Sequence, residues 1–296
     1  MGSILFPGET FDLNWQDFAG RLWERVNEHD TSGRAAQLSY YFLLALFPLL
    51  LFLVTLLGYF AHAGSQLRNT LLGYVATVMP WSAVQLVHST LDEITRSKGG
   101  GKLSFGLVAA LWAASTGMGA ISQTLNVAYH VKETRPWWKV RLVSILLTIA
   151  LSILIVVVLA ILLYGGRIGD AFAVHLGFSR AFNITWKILQ WPIALFFLLI
   201  GFNLIYYFAP DLRRRNRKWS TPGALVAVVL WLLISFGFRI YLHFFNTYSL
   251  TYGSLGAVIV LMLWFYLTGA VILIGGEINS EIAHKVNDEA NEVPKL

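Results

Sequence analysis

The segment YGSLGAVIVLMLWFYLTGAVILIGGEIN, residues 252–279, decides the fold of this chain. It contains one charged residue, Glu277, and exceeds the roughly 20 apolar residues that a helix needs to cross about 30 Å of hydrocarbon. A carboxylate is costly inside lipid, and such a group is usually paired or functional. The segment therefore predicts a membrane-spanning helix that carries an acid near one end.

The composition of the whole chain also indicates a membrane protein. Its 296 residues are 56% hydrophobic and only 13% charged, whereas soluble domains carry about a quarter charged residues. The chain contains no cysteine, which excludes disulfides and thiolate chemistry. A charged segment precedes the first apolar run, so we expect no cleavable signal peptide.

Five further apolar runs are long enough to span a bilayer, and the predicted fold class is an all-α polytopic membrane protein with six transmembrane helices. Small residues in the second run, including Gly117 and Gly119, predict close helix packing. The six predicted spans together form a transmembrane domain at 35–279, and they are residues 35–61, 103–129, 140–165, 187–209, 223–246 and 252–279.

The positions of Lys and Arg predict the orientation of these spans. If the N-terminus is cytoplasmic, the inner segments carry fourteen Lys and Arg residues and the outer segments seven. Positive residues are enriched in cytoplasmic loops. We therefore expect both the N-terminal segment 1–34 and the polar tail 280–296 in the cytoplasm.

Two segments outside the spans are predicted to form surface helices. The loop at 62–102 contains two apolar stripes and predicts an extracytoplasmic helical hairpin. The N-terminal segment predicts an amphipathic helix, which either lies in the membrane interface or packs on the cytoplasmic face of the protein. Its apolar residues recur every three or four positions at Phe11, Trp15, Phe18, Leu22 and Val26.

Polar side chains from four spans are predicted to lie near the level of the inner leaflet. Depths follow from the orientation and a helical rise of 1.5 Å per residue. Such groups either line a polar cavity that receives a lipid headgroup or join helices through hydrogen bonds, and both interpretations remain open. The candidate cavity residues are Gln37, Tyr40, Gln123, Asn126, Asn203, Glu277 and Asn279.

Basic side chains near the predicted inner surface either set the topology or contact anionic headgroups. They also offer partners for Glu277, which lies at a helix C-terminus where the macrodipole disfavours an anion. Arg239 is about 24 Å above the inner end of its span, too far to pair with Glu277. The basic candidates are Lys132, Arg135, Arg213, Arg214, Arg215 and Arg239.

Several kinds of chemistry lack any motif in the chain. The seven histidines form no closely spaced metal-ligand pair, and neither HExxH nor HxxEH occurs. There is no P-loop or GxSxG motif either, so we expect neither cofactor, metal nor hydrolytic catalysis. The basic run DLRRRNRKWS at 211–220 lacks the aromatic-rich context of an RNA-binding module, so we expect no nucleic-acid partner.

Three stretches resemble the YihY/BrkB family of bacterial inner-membrane proteins. They are AAQLSYYFLLALFPLLL at 35–51, YYFAPDLRRRNRKWSTPGALVAVVLW at 206–231, and the segment at 252–279. The resemblance implies a six-span helical protein of the inner membrane with both termini in the cytoplasm. The family was historically labelled ribonuclease BN, and it has been linked to envelope lipid biology.

Three hypotheses for the function follow. The first is a protein that binds or translocates an envelope lipid or lipid-linked molecule, such as an anionic phospholipid or a lipopolysaccharide precursor. An extracytoplasmic lipid-transfer protein is the partner that this hypothesis suggests. The second is a structural or scaffolding protein of the envelope, and the third is the ribonuclease of the old family label.

Overall fold

The structure is a computed structural model, and it describes seven stretches of the chain: residues 2–6, 9–13, 15–60, 101–176, 179–212, 222–244 and 254–292. These stretches contain seven α-helices and one β-hairpin. The helices are α1 Trp15–Glu28, α2 Thr31–Phe60, α3 Gly101–Ala128, α4 Trp137–Leu176, α5 Ser179–Phe208, α6 Pro222–Phe244 and α7 Ser254–Glu292.

The N-terminal hairpin was not expected from the sequence. Strand β1, Gly2–Phe6, pairs antiparallel with β2, Glu9–Leu13. Phe11 therefore belongs to a strand, and its assignment to the amphipathic helix is wrong. The three-to-four-residue spacing that included Phe11 continues without it in α1, which begins at Trp15.

The prediction of a helical membrane protein is confirmed. Four helical segments are long and apolar enough to cross a membrane among the described residues: Trp137–Leu159, Ile188–Phe208, Pro222–His243 and Val258–His284. They coincide with the last four predicted spans. Helices α2 and α3 occupy the positions of the first two spans, and their crossing of the membrane remains a prediction. The predicted hairpin at 62–102 falls almost wholly at 61–100, outside the described residues.

The chain divides into two compact units. Unit 1 comprises Met1–Tyr40, Gln123–Thr134 and Pro210–Leu296. Unit 2 comprises Tyr41–Ser122 and Arg135–Ala209. Each unit is thus assembled from segments that are distant in the sequence, and α2 and α3 contribute to both.

In unit 1, helix α7 packs closely against its neighbours through glycines. A Cβ atom on Gly269 would lie 3.2 Å from the Cβ of Leu38 in α2. A Cβ atom on Gly276 would lie 2.6 Å from Leu125 Cδ2 in α3. Because a larger residue would push these helices apart, the glycines set how closely α2 and α3 approach α7.

In unit 2, small residues of α3 perform the same role, as the sequence predicted. A Cβ atom on Gly117 would lie 3.3 Å from Ala45 Cβ in α2, and one on Gly119 would lie 3.6 Å from Ser144 Oγ in α4. The side chains of Ala110 and Ala114 are buried on the same helix. Small residues at such spacing allow helix backbones to approach closely in a membrane.

Candidate functional site

Six of the seven candidate cavity residues belong to unit 1, and the structure separates them into two groups. The side chains of Gln37, Tyr40 and Gln123 are exposed, with Tyr40 at 53%. The other three are buried and hydrogen-bonded within the unit. They are Asn126, Glu277 and Asn279.

The packing of α7 gives the relative heights of these six residues. Gly269 faces Leu38 of α2, and Gly276 faces Leu125 of α3. At 1.5 Å per residue, the series from Tyr40 to Asn279 is therefore spread over about 20 Å along α7. The predicted single polar level is thus a graded series, in which Tyr40 and Gln37 are farthest from the C-terminal end of α7.

Asn126 joins three segments of unit 1. Its Nδ2 donates to Glu133 Oε2 at 2.9 Å, and its Oδ1 accepts from the backbone N–H of Asp211 at 2.7 Å. Asp211 Oδ2 in turn accepts from the backbone N–H of Thr134 at 2.8 Å. The amide therefore fixes the end of α3 to the segment that follows α5.

Asn279 joins α7 to the first turn of α6. Its Oδ1 accepts from the backbone N–H of Gly223 at 2.8 Å, and both groups are buried. The first N–H groups of a helix have no partner within that helix. Asn279 therefore supplies from α7 an acceptor that α6 lacks.

Glu277 is paired with a histidine, which was not expected. His29 Nδ1 lies 2.6 Å from Glu277 Oε1, and the two side chains are 8% and 1% exposed. The sequence predicted a cation from the basic loops, and His29 is instead the partner that the described residues give to Glu277. Three of the predicted partners, Arg213, Arg214 and Arg215, lie outside the described residues. The second oxygen, Glu277 Oε2, is buried, and no described residue donates a hydrogen bond to it.

Two further histidines extend this pair into a cluster. The rings of His29 and His130 are edge to face with centroids 4.4 Å apart, and His284 follows at 5.8 Å from His130. We call His29, His130, His284 and Glu277 the histidine cluster. No group of three or more His, Asp or Glu residues is arranged to hold a metal ion within the described part of the chain.

Local backbone structure places two of these histidines. At the end of α3, the Val131 N–H donates to the Asn126 carbonyl at 2.9 Å, and His130 has a φ of 52°. This is a Schellman-type helix end with a left-handed residue, which directs the chain out of the helix. His29 lies in the turn between α1 and α2, where Asp30 Oδ1 accepts from the Gly33 N–H at 3.2 Å.

Ion pairs continue from the histidine cluster along α1. Arg21 Nε donates to Glu281 Oε1 at 2.6 Å, and Arg25 Nη2 lies 2.9 Å from Glu281 Oε2. Beside them, Phe18 of α1 is buried against Ile278 of α7. Helix α1 therefore packs on α7, and its location relative to the membrane stays a prediction.

The electrostatics of the cluster disfavour a charge on His130. Partial burial lowers the pKa of His130 below its ordinary value of 6.5, and the nearby His29, Arg25 and His284 lower it further. Each of these neighbours is a cation or becomes one on protonation. His130 is therefore neutral at pH 7 while α1 and α7 are in contact.

Unit 2 contains the remaining amide and one basic candidate. Asn203 is buried, and its Nδ2 donates to the Leu199 carbonyl at 3.0 Å. Arg135 donates to the Ala209 carbonyl at 2.9 Å and to Ser122 Oγ at 3.2 Å. A cation at a helix C-terminus is favourable, so Arg135 caps the end of α5.

The other basic candidates are exposed or lie outside the description. Lys132 in unit 1 is exposed, and so is Arg239 of α6. Arg213, Arg214 and Arg215 lie at 213–221, outside the described residues.

Comparisons with known proteins give the relatives of the chain. The family profile described as Virulence factor BrkB matches residues 22–295. A putative ribonuclease-like protein of Bacillus subtilis strain 168, YfkH, is 40% identical over 94% of this chain and 98% of its own length. A UPF0761 membrane protein of Xanthomonas oryzae pv. oryzae is 28% identical over 94% of this chain, which spans 63% of that protein. No solved structure matches.

Proposed function

Because the chain belongs to the family of virulence factor BrkB, we propose that it is a bacterial inner-membrane protein that binds and translocates an envelope lipid or lipid-linked molecule. Both termini lie in the cytoplasm in this proposal, as the distribution of Lys and Arg requires. The ligand class is an anionic phospholipid or a lipopolysaccharide precursor.

The exposed polar side chains of unit 1 carry this proposal. Gln37, Tyr40 and Gln123 are exposed although they lie in or beside apolar helical segments. Moving an amide from water to an apolar medium without a hydrogen bond costs roughly 2–7 kcal/mol. A headgroup phosphate or sugar that accepts from these amides would remove that cost, so we assign headgroup contact to the exposed residues.

The buried candidates have a supporting role. Asn126 and Asn279 use their side-chain oxygens to hold neighbouring segments, so these oxygens are not available to a ligand. They hold α3 to the segment after α5, and α7 to the start of α6.

The chain offers no motif for ATP hydrolysis. Movement of the lipid is therefore downhill, ion-coupled, or driven by an extracytoplasmic lipid-transfer protein that removes the product. No enzymatic step is part of this proposal. The net charge of +6 attracts anionic headgroups to the protein surface.

Reconstitution into liposomes tests the proposal. Labelled phospholipid should cross the bilayer faster with the protein present, and replacing Gln37 or Gln123 by Leu should reduce the rate about tenfold or more, the effect of losing about 1.4 kcal/mol of hydrogen bonding. Gln190→Leu in α5 makes the same change in unit 2 and serves as the matched control. Binding and crossing rates equal to those of protein-free liposomes, for both phospholipid and lipopolysaccharide precursor, would refute the proposal.

A second candidate function is a structural protein of the envelope, and the hydrogen bonds of Asn126 and of Asn279 Oδ1 to neighbouring segments favour it. Buried polar groups in membrane proteins often do no more than join helices. In this case Glu277→Gln and Asn203→Ala should lower thermal stability, and any cellular phenotype should follow the amount of protein. A loss of function at normal protein level would contradict this alternative.

A similar protein carries a ribonuclease-like name, which gives a third, simple test. Purified protein that is free of contaminating nuclease should leave precursor tRNA intact, with or without divalent metal. Metal-dependent cleavage that co-purifies with the protein would show that this chain is an enzyme.

A further inference from the structure

Helices α1 and α7 present complementary charges to each other. Arg21 and Arg25 of α1 are four residues apart, and His29 follows at the same spacing directly after the helix, where its N–H still donates to the Arg25 carbonyl at 2.9 Å. The three side chains therefore share one face. Glu277 and Glu281 have the same spacing on α7. Arg21 pairs with Glu281 and His29 with Glu277, so the two rows run antiparallel in contact.

Burial increases along this row toward the histidine. The side chain of Arg21 is 46% exposed, that of Arg25 is 20% exposed, and that of His29 is 8% exposed. Exposed ion pairs contribute little to the stability of a helix contact, whereas a contact that contains a buried pair is strongly destabilised when one partner changes its charge. Histidine is the member of this row whose charge changes near neutral pH.

Charged and titratable groups face His29 from every helix around it. From α1 they include a cation and an anion, and from α2 an arginine that donates to the His29 carbonyl. The turn after α3 and helix α7 supply the other members of the cluster, and α7 also supplies the carboxylate that pairs with Arg25. These groups are Arg25, Glu28, Arg34, His130, Glu277, Glu281 and His284.

The contact between α1 and α7 therefore limits how many protons the cluster holds. Glu277 provides one carboxylate, and its Oε1 is taken by His29. A proton on His130 would place a positive charge on a ring whose centroid lies 4.4 Å from that of His29. Once α1 moves away, the His130 ring no longer faces His29 and Arg25, so it can be protonated without that repulsion.

We propose that the histidine cluster is a proton-binding site, in which His130 takes up a proton from water when α1 leaves α7 and returns it when α1 docks again. Acid thus favours the released position of α1. The proposal builds on the proposed function, because it names the proton as the coupling ion for lipid movement.

Distance measurements between spin labels test this site directly. The chain contains no cysteine, so Glu24→Cys on α1 and Leu225→Cys on α6 give one label pair at exposed positions of unit 1. In nanodiscs of phosphatidylcholine we expect one distance near pH 8. A longer distance should appear as the pH falls below about 6.5, and the ratio of docked to released protein should fall roughly tenfold per pH unit for each proton bound.

Variants identify the groups responsible. His130→Gln should keep α1 docked to lower pH, because the site of unfavourable charge is gone. Glu277→Gln should produce the longer distance already near pH 8, since the carboxylate that holds His29 is removed. His243→Gln, at an exposed position near the end of α6, is the matched control and should titrate like the wild type.

Two results would overturn the proposal. One is a wild-type distance that does not change from about pH 8 to about pH 5, a range that brackets the histidine pKa. The other is an unchanged pH response in a His29→Gln, His130→Gln double variant. If Glu277→Gln does not fold, the pH dependence of the label distance in the wild type and in His130→Gln still tests the proposal.

The outcome is separable from that of the proposed function. The label experiment contains no transported substrate, so a pH-dependent distance without lipid crossing would refute only the proposed function. Conversely, lipid crossing with α1 docked at every pH would refute only the proton site.

Discussion

Replacing Gly223 by Ala tests the contact between the start of α6 and the end of α7. A Cβ atom at Gly223 would lie 2.6 Å from Asn279 Cγ and in direct conflict with the backbone carbonyl oxygen of Gly275. A backbone atom cannot rotate away as a flexible side chain does. The helices must therefore separate, and the 2.8 Å bond from the Gly223 N–H to Asn279 Oδ1 is lost.

The magnitude follows from these two effects. Overpacking a close contact costs about 1–3 kcal/mol, and leaving a buried donor or acceptor unpaired costs about 1–3 kcal/mol. Alanine recovers up to about 1 kcal/mol as a better helix former than glycine. We expect Gly223→Ala to lower the free energy of unfolding by about 2–4 kcal/mol.

Gly237 supplies a matched control on the same helix. It is exposed, and a Cβ atom there would meet nothing within 4 Å. Gly237→Ala should therefore be neutral or slightly stabilising. The pair of variants makes one chemical change at a closed and an open position of α6.

Thermal denaturation followed by tryptophan fluorescence is a suitable assay, because the chain has 11 Trp residues. At about 2–4 °C per kcal/mol, Gly223→Ala should melt about 4–16 °C below the wild type. All proteins must be compared in one detergent at one scan rate, since unfolding is often irreversible. Equal melting temperatures for Gly223→Ala and Gly237→Ala would refute the close approach of α6 and α7.

Three further predictions concern polar groups. Arg135→Gln removes the donor to the last carbonyls of α5 and should lower the free energy of unfolding by about 1–2 kcal/mol, whereas Lys132→Gln at an exposed site should leave the melting temperature unchanged. Asn126→Asp places a second carboxylate beside Glu133, so stability should fall at pH 7 and recover toward about pH 4; a pH-independent loss of melting temperature would contradict this. The pKa of His130 is lowered from 6.5, so its contribution to stability is complete above pH 6.5 and declines as the pH falls. His130→Gln should flatten that decline of the melting temperature with falling pH. An equally steep decline in the variant would contradict this.

The helices were predictable because each apolar run is long and bounded by charge, Gly or Pro. The segment at 252–279 is by itself sufficient to predict a membrane-spanning helix, and Val258–His284 of α7 is among the segments able to cross a membrane. The strands at the N-terminus were not predicted from the sequence. A single short hairpin has a weak pattern, and Phe11 happened to fit the helical spacing of the residues after it.

The candidate site was predictable only in part, because depth along a helix does not specify the direction of a side chain. Depth selected Glu277 and Asn279, which are buried, and also Gln37, which is exposed. Their partners depend on which helices are neighbours. Helix contacts are set by glycines such as Gly276, and their partners cannot be read from one sequence.

The histidine cluster was missed because its members are far apart in the chain. His29 and His130 each follow the end of a helix, and His284 lies seven residues after Glu277 on α7. A search for closely spaced ligands does not detect such a set. The available signal was that all three histidines occur in predicted cytoplasmic segments beside a buried acid.

The uninterrupted length of α7 has a mechanical consequence. Its 39 residues form a rod about 58 Å long, nearly twice the roughly 30 Å thickness of the hydrocarbon layer. Helix α1 contacts α7 at Glu277 and Glu281, roughly 35–40 Å from Ser254, so a tilt of α7 by about 5° at that contact would displace the Ser254 end by about 3 Å. A small displacement of α7 at Glu277 can thus move the other end of the helix without a chain of side-chain contacts between the two.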